Sequence, residues 1–445
     1  MENLTETPSV LRYSDILKVG TPIADMNYHR FIPSNGATFS ANQSIRIPFN
    51  VPVNAFCNLK GAYLKMTVNN LNSGANDAVR LDPQAGIASF IDTWRVVSGT
   101  GGLLEEVIHY NAIYALMTDL TGTQHTLSTL AIMDGSIEQT DDKTTANILP
   151  VSGATSSAMT GATQILKSAS RTCVHTPMSG LFQTDRLIPF GFANGTSYIE
   201  IVLPTANFPL TNDHASPTTV GLDWSITNVE LHCPVLRMGA EFNASFRELL
   251  ASGMPISWHG QSYTNVQSVV SSTGGASSQS TITLASRKRS VKSIFNMFRL
   301  QSDLTQSKAD SASARQGAGI TQWSVEVGGV QYPVAPCQQS ASNIGETYAN
   351  LVRCLNNLGN SYAGTSMNRS TFLPTNAVSK IAYGIDLESY GHSDVQSGKN
   401  LSGQGLPIVF RPTITTSADQ LLDCFLLHDV VYTLDGVSGT ISASS

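Results

Sequence analysis

Residues 91–122 read IDTWRVVSGTGGLLEEVIHYNAIYALMTDLTG, and the period of their apolar side chains changes part-way along. Trp94 and Val96 alternate as in a strand, and a glycine cluster at residues 99–102 follows them. Beyond it, apolar side chains recur at helical spacing, at Ala112, Ile113, Leu116, Met117 and Leu120. The stretch therefore predicts a strand, a glycine turn and a helix, with Asn111 as the N-cap and Gly122 just past the helix end.

A second copy of this pattern lies 229 residues later, counted from Ile91 to Ile320. Residues 320–359 read ITQWSVEVGGVQYPVAPCQQSASNIGETYANLVRCLNNLG, so the frame Ile-x-x-Trp-x-Val recurs with Trp323 in the place of Trp94. A glycine-containing turn and an amphipathic segment follow in both copies. Since the separation is about half of the 445-residue chain, the repeat predicts two similar domains, each a strand-rich body with one inserted helix.

The rest of the chain is mostly short alternating runs separated by polar loops, which favours antiparallel β-sandwiches and an all-β fold. The clearest runs are SIRIPFN at 44–50, YLKMTVN at 63–69, SYIEIVLP at 197–204, KSIFNMFRL at 292–300 and LLDCFLLHDVVYTL at 421–434. Residues 237–253 have the spacing of a helix, with apolar positions at Phe242, Phe246, Leu249 and Leu250. We therefore predict an N-terminal arm at 1–30, a first domain at 31–236, a linker helix at 237–253 and a second domain at 254–445.

Composition indicates a folded protein with an unusually low charge. Hydrophobic residues make up 41% of the chain and charged residues only 13%, about half of the usual share of roughly 25%. A lightly charged surface suits a subunit whose sides are covered by neighbours, because burying unpaired charge is costly. It also suits a secreted β protein.

The charge balance and the termini argue against several partners. The net charge is −6 and the first ten residues, MENLTETPSV, contain two glutamates and no basic run, so we expect no strong direct binding of nucleic acid. Neither a signal peptide nor an apolar segment long enough to span a membrane is evident. The six cysteines contain no CxxC pair, which predicts buried free thiols in a reducing compartment.

A scan for catalytic and ligand-binding patterns finds none that outweighs a structural explanation. The nine histidines form no HExxH motif, and no Gly-x-Ser-x-Gly elbow is present. The segment from Gly391 to Asn400 has the wrong spacing for a phosphate loop, and the glycine pairs at 99–102, 317–319 and 403–405 are typical of turns. We therefore predict no catalytic, cofactor-binding or metal-binding residues, and no enzymatic activity.

Three smaller features allow a functional and a structural interpretation. Glu105 and Glu106 could form an acid pair, but a turn before a helix, where negative charge is favourable, is the preferred explanation. Trp94 and Trp323 could line a sugar site, but matched positions in two copies favour core packing. A basic cluster could contact phosphate or an acidic neighbour, although a solvated loop between two strands is preferred; its members are Arg287, Lys288, Arg289 and Lys292.

Several of these stretches together resemble the double jelly-roll major capsid proteins of eukaryotic DNA viruses, of the type found in polinton-like viruses, adintoviruses and virophages. The resemblance covers nearly the whole chain from about residue 30. It is carried by FIPSNGATFSANQSIRIPFNVPVNAFCNLKGAYLKMTV at 31–68, by the strand, turn and helix at 91–117, by ASRKRSVKSIFNMFR at 285–299, by YGIDLESYGHSDVQSGKNLSGQGLPIVF at 383–410 and by FLLHDVVYTLDGVSGTI at 425–441.

The resemblance implies two tandem eight-stranded antiparallel jelly-roll sandwiches, each with a short inserted helix, joined by a linker helix. It further implies a structural role in the virion, in which three copies form a pseudo-hexagonal capsomer that tiles an icosahedral shell. Penton and minor capsid proteins would be its partners, a membrane could lie beneath the shell, and assembly would take place in the host nucleus or cytoplasm. Many relatives carry large tower insertions, whereas the loops here are modest.

Two other functions remain open from the sequence. The two-domain coat subunit of picorna-like RNA viruses also strings two jelly rolls in one chain, although those subunits lack a matching helix in each half. A carbohydrate-binding or carbohydrate-cleaving β-sandwich would need a cleft with exposed aromatic side chains or two facing carboxylates.

Overall fold

The computed structural model describes residues 24–72, 78–136, 164–212, 222–307, 309–317, 319–340, 342–355, 365, 367, 369–372, 379–389, 397–403 and 407–445. Its strands fall into two groups separated by a helix. The first group is β1 Ala24–Phe31, β2 Thr38–Phe39, β3 Ser44–Pro48, β4 Ala55–Cys57, β5 Tyr63–Asn70, β6 Val79–Leu81, β7 Thr93–Val97, β8 Leu103–Ile108, β9 Gln164–Ile165, β10 Ser170–His175, β11 Tyr198–Val202, β12 Leu210–Asn212 and β13 Trp224–Met238. The second group is β14 Ile256–Val270, β15 Ser278–Gln279, β16 Ile282–Leu284, β17 Val291–Leu300, β18 Ile320–Val327, β19 Val330–Gln338, β20 Tyr383–Asp386, β21 Ile408–Ile414, β22 Gln420–Leu434 and β23 Ile441–Ser444.

Each group forms a barrel of two four-stranded antiparallel sheets. In the first barrel the strand orders are β1-β13-β5-β10 and β3-β11-β7-β8, and the short strands β2 and β4 also pair with β13. In the second barrel the orders are β14-β22-β17-β20 and β15-β21-β18-β19, with β16 and β23 added to β21 and β22. The two barrels therefore share the strand order of eight principal strands, and the alternating runs of the sequence supply their buried faces. The first barrel has in addition a three-stranded sheet of order β12-β6-β9.

The structure extends the first barrel into the segment that the sequence assigned to an arm, residues 1–30. Strand β1 begins at Ala24 and pairs along its whole length with β13, from Ala24 opposite Met238 to Phe31 opposite Leu231. The arm prediction for residues 1–23 lies outside the described residues. The domain limits at 31–236, 237–253 and 254–445 stay a prediction.

The helices that interrupt the strands are α1 Tyr110–Thr121, α2 Gln124–Asp134, α3 Gly180–Gln183, α4 Ala240–Ala251, α5 Gly345–Arg353 and α6 Arg369–Phe372. Helix α1 follows β8 and helix α5 follows β19, so an inserted helix stands at the same place in both barrels. The N-cap of α1 is His109 and not Asn111, whose side-chain oxygen accepts a hydrogen bond from Ala112 inside the first turn. Gly122 is the C-cap, in an extended conformation.

Trp94 and Trp323 lie on equivalent strands, β7 and β18, and both side chains are fully buried. Trp94 stacks on Tyr110, the first residue of α1, with ring centroids 5.8 Å apart. Trp323 donates a hydrogen bond from Nε1 to Oγ1 of Thr347 in α5, at 3.0 Å. Both tryptophans are therefore core residues at matched positions, as predicted. The structure adds that each one contacts the inserted helix of its barrel.

Helix α4 connects the two barrels, within the segment predicted to be a linker helix. Its apolar stripe packs on the first barrel mainly through Phe246, whose ring lies 5.2 Å from that of Phe56 and 4.6 Å from that of Phe192. Leu250 is buried, whereas Phe242 stays 40% exposed. Residues 237 and 238 belong to β13 instead, since they pair with β1.

Candidate functional site: the seam between the two barrels

The largest concentration of buried charge in the described chain lies where the two barrels meet, which we call the seam. One side of it comes from the segment that joins β17 to β18 in the second barrel, residues 301–319. The segment is rich in Ser, Ala and Gln, a composition typical of a polar loop. In the structure most of its polar side chains are buried, namely Asp303, Ser307, Asp310, Ser311, Ser313 and Arg315.

Strand β6 of the first barrel brings Arg80 against this segment. Arg80 is 2% exposed and its Nη2 lies 2.8 Å from Oδ2 of Asp310. The other oxygen of Asp310 accepts a hydrogen bond from Oγ1 of Thr211 at 2.5 Å. Both partners of Asp310 belong to the first barrel, so the carboxylate ties the second barrel to the sheet formed by β12, β6 and β9.

A second carboxylate, Asp82, reaches across the seam from the first barrel. Its Oδ1 accepts hydrogen bonds from the backbone N–H groups of Gln84 and Ala85, each at 2.9 Å. Its Oδ2 accepts from Oγ of Ser313 at 2.9 Å. Burial, together with the nearby charge of Asp310, raises the pKa of Asp82 to about 6, because both effects disfavour the ionised form.

Helix α1 contributes a third carboxylate, Asp119, which is completely buried between two cations of the second barrel. Lys380 approaches Oδ1 with its Nζ at 2.7 Å, and Arg315 donates to Oδ2. Burial alone would raise the pKa of Asp119, but the charges of Lys380 and Arg315 outweigh it and hold the pKa below its usual value. The three groups form a buried ionic triad whose anion and cations come from different barrels.

The seam also contains Glu105, which corrects the prediction that Glu105 and Glu106 stand in a turn before a helix. Both residues lie within strand β8, and Glu105 is 4% exposed. Oε1 accepts hydrogen bonds from Oγ of Ser262 on β14 and from the backbone N–H of Gly180, each at 2.6 Å. Burial raises the pKa of Glu105, and these bonds oppose the rise. Glu106 instead pairs with Arg95 on the neighbouring strand, with Nε and Oε1 2.6 Å apart.

The basic cluster proves to be only partly a solvated loop. Arg287 and Arg289 are exposed, as predicted, and Lys288 is half-buried with its Nζ 2.7 Å from Oγ of Ser445. Lys292 is different, because it belongs to β17 and is only 3% exposed. Its Nζ lies 3.0 Å from Glu388 and 3.5 Å from Asp429, so this lysine is a structural partner of carboxylates.

The described residues offer little else that could hold a ligand. They contain no group of three or more His, Cys, Asp or Glu side chains placed to bind a metal ion. All six cysteines are buried and free, as predicted. The tryptophans Trp94 and Trp323 present no exposed surface to a sugar. Within the same residues, no helix is long and apolar enough to cross a membrane. The predicted glycine loop from Gly391 to Asn400 falls largely outside the described residues.

The geometry of the seam suits a structural role, the alignment of the two barrels, better than catalysis or ligand binding. Four of its carboxylates each contact a cation or a hydroxyl of the facing barrel, namely Asp82, Glu105, Asp119 and Asp310. Asp82 and Glu105 also accept hydrogen bonds from backbone N–H groups of their own barrel. Ion pairs of this kind cost several kcal/mol of desolvation per ion, so they contribute direction and specificity more than net stability. We infer that the seam sets how one barrel is oriented on the other. No sequence pattern predicts the seam, because its charged residues are scattered between 80 and 380 without a shared motif.

The architecture is similar to that of solved virus capsid structures over almost the entire chain. VP54 of PBCV-1, in a structure fitted into a cryo-EM reconstruction of the virophage Sputnik, matches with a TM-score of 0.63 and 9% identity over 95% of this chain and 97% of that one. A chain in the 3.5 Å cryo-EM structure of Sputnik matches with a TM-score of 0.57, 12% identity, and coverage of 94% and 88%. The mavirus major capsid protein matches with a TM-score of 0.53, 11% identity, and coverage of 94% and 90%.

The chain has the double jelly-roll fold. Identities near 10% show shared architecture alone, and this confirms the fold expected from the sequence. No family model matches the sequence, and neither does any curated protein.

Proposed function

We propose that this double jelly-roll protein is the major capsid protein of a DNA virus of eukaryotes and that it has a structural, non-enzymatic role. Three copies would form a pseudo-hexagonal capsomer, and capsomers would tile an icosahedral shell. The observation that carries the proposal is the pairing of two eight-stranded barrels with the same strand order in one chain. Two barrels per chain give six per trimer, so a three-fold object can occupy lattice positions with six neighbours.

The low charge of the chain supports this assignment. Only 13% of the residues are charged. Some of those that the structure describes are buried, either in the seam or in pairs such as Arg299 with Asp423. A low overall share of charged residues lowers the desolvation cost of covering the surface with other copies of the chain.

The proposal also has consequences for partners and location. The protein would reside in the virion after assembly in the host nucleus or cytoplasm, with penton and minor capsid proteins completing the shell. The net charge of −6 argues against strong binding of the genome by this chain through charge alone. Packaging would then depend on other viral proteins or on a membrane beneath the shell.

Native mass spectrometry and negative-stain microscopy of the purified protein test the proposal. We expect a trimer at about 142 kDa, three times the 47.5 kDa of the chain, and three-fold particles with a hexagonal outline. A monomer at every concentration and salt condition, with no such particles, would refute a capsid role. Requirement for a smaller second coat protein would instead favour the picorna-like arrangement.

A further inference from the structure

The match between the barrels allows individual residues of one to be placed on the other. Strands β13 and β22 both span 15 residues, and the first strand of each barrel pairs from their last residue, Ala24 opposite Met238 and Ile256 opposite Leu434. Arg30 pairs with His232 and Ser262 pairs with His428. These two histidines lie equally far from the ends of β13 and β22, so Arg30 corresponds to Ser262. Strand β1 is thus the counterpart of β14.

Strands β8 and β19 correspond in the same way, because each borders the strand that carries the buried tryptophan. Glu105 pairs with Val96, two residues after Trp94, and Tyr332 pairs with Val325, two residues after Trp323. Tyr332 therefore stands where Glu105 stands in the first barrel.

Within one chain, strand β8 of the first barrel packs against strand β14 of the second barrel. The two strands lie side by side, and β23 also borders β8. The hydrogen bond from Ser262 to Glu105 is the polar centre of this contact. Lys288, which follows β16, lies close enough for the charge of Glu106 to act on its pKa. A β8-type strand of one barrel is therefore covered by the β14-type strand of the next barrel.

The counterparts of these two strands are both uncovered among the described residues. Strand β19 is an edge strand of the second barrel, at the end of the sheet β15-β21-β18-β19. Strand β1 is an edge strand of the first barrel, at the end of the sheet β1-β13-β5-β10. On β1, Met26 is 55% and Tyr28 66% exposed, and Ile32 just beyond it is 55% exposed. Apolar side chains this exposed on an edge strand are unusual unless another surface covers them.

Strand β19 also carries a projection that β8 lacks in this form. Trp323 pairs with Cys337 and Val325 pairs with Tyr332, so a step of two residues on β18 is matched by five residues on β19. The extra residues, Pro333–Pro336, form a bulge in β19. We call this segment the proline bulge. Its sequence is Pro-Val-Ala-Pro, and Val334 is 96% exposed. The prolines lack backbone N–H groups and prevent simple strand addition, so an occupant must meet the bulge through side chains.

We propose that the proline bulge of one copy packs on strand β1 of a second copy of this chain, so that the β8–β14 contact is repeated between subunits. The inference rests on the proposed capsid function, and it specifies the surface by which subunits join. A second copy is the occupant because it alone carries both missing counterparts, an uncovered β1 and an uncovered β19. Repeating one contact from barrel to barrel closes a ring without a new type of surface.

The register also predicts what meets at the centre of the contact. Tyr332 of one copy would face Arg30 of the next, in the positions that Glu105 and Ser262 hold within the chain. The side chain of Arg30 is 60% exposed and already pairs with Glu230 at 3.1 Å, so a tyrosine can approach it without leaving a charge buried alone. Since Nζ of Lys399 lies 5.1 Å from the centroid of the Tyr332 ring, Arg30 would meet the opposite side of that ring. The apolar side chains Met26, Tyr28 and Ile32 flank this point and would receive the proline bulge.

The test uses the full chain with Val334→Lys and, as a matched control, Val437→Lys, since Val437 is 82% exposed but lies between β22 and β23. Native mass spectrometry at one protein concentration should show trimer for the unmodified chain and for Val437→Lys. Val334→Lys should shift the chain to monomer, because a lysine would be desolvated in an apolar contact. Far-ultraviolet circular dichroism checks that both variants keep the fold.

A cross-linking arm locates the contact directly. The six native cysteines are buried, so a short bis-maleimide should join only introduced cysteines. The double variant Tyr28→Cys with Val334→Cys should give covalent dimers and trimers on a denaturing gel, whereas each single variant stays monomeric. If the unmodified chain is a trimer but Val334→Lys leaves it intact and the double variant does not cross-link, this inference is overturned and the capsid proposal stands. If the unmodified chain is a monomer throughout, the capsid proposal itself fails.

Discussion

Replacing Asp119 by Asn should strongly destabilise the protein, because it removes the carboxylate charge from the buried ionic triad. The side chain keeps its size, but Lys380 and Arg315, which are at most 2% exposed, lose the anion between them. Removing one partner of a buried pair costs about 3–5 kcal/mol, since the remaining charge stays desolvated. We therefore expect the free energy of unfolding to fall by about that amount in equilibrium urea denaturation, with all variants measured at one protein concentration.

The matched control is Asp185→Asn, because Asp185 also pairs with a lysine, Lys60, but its side chain is 83% exposed. Solvent screens this pair, so the control should leave the unfolding midpoint unchanged. The cost of Asp119→Asn should also shrink in acid. The pKa of Asp119 is lowered in the folded protein, so its contribution is present above the ordinary Asp range and is lost as pH falls through the folded pKa. Equal unfolding midpoints for the two variants at neutral pH would refute the conclusion that the charge of Asp119 stabilises the buried ionic triad.

Three further predictions follow from the core and from the seam. Truncating Trp94 or Trp323 to Ala should lower the free energy of unfolding by about 3–5 kcal/mol in urea denaturation, and a loss under about 1 kcal/mol would contradict their core role. The pKa of Asp82 is raised to about 6, so the folded state binds a proton more tightly than the unfolded state and this group's contribution to stability declines as pH rises from about 4 to 6. Asp82→Asn should accordingly be less costly near pH 7 than near pH 4, as followed by urea denaturation at each pH, and a cost independent of pH would count against it. A Cβ on Gly180 would lie 2.8 Å from the backbone oxygen of Gln261, so Gly180→Ala should cost about 1–3 kcal/mol, whereas Gly102→Ala, with its nearest neighbour at 4.0 Å, should be neutral in the same assay.

The sequence predicted those parts of the fold that depend on periodicity along one strand or helix. Alternating residues such as Ile45 and Ile47 mark strands with one buried face, and both are fully buried. The repeated frame around Trp94 and Trp323 predicted two similar domains, because its two copies lie about half a chain length apart. Periodicity also predicted helix α4, although it could not show that Phe242 stays partly exposed.

The seam could not be predicted, because its partners lie far apart in sequence. Asp119 meets Lys380 across 261 residues, and Glu105 meets Ser262 across 157. Local composition was misleading for the same reason. Serines and charged residues between 301 and 319 resemble a solvated loop, yet most of them are buried. Ser313 and Asp310 meet the first barrel, whereas Ser311 is held within its own barrel. Glu105 likewise resembled an acidic residue in a turn before a helix. No local sequence feature distinguishes such a residue from one that accepts a hydrogen bond from the other barrel.

The distribution of charge also bears on why the barrels are joined by ions at all. An apolar seam of equal area would hold two barrels together as well or better, but it would tolerate sliding, since apolar contact has little directional preference. The bonds of Asp82, Asp119 and Asp310 are satisfied only in one alignment, and any rotation of the barrels would leave buried charges unpaired. A free-standing protein gains little from such precision. In the trimer proposed above each barrel would meet a further copy, and an error in the angle between the barrels of one subunit would be multiplied around the ring of six.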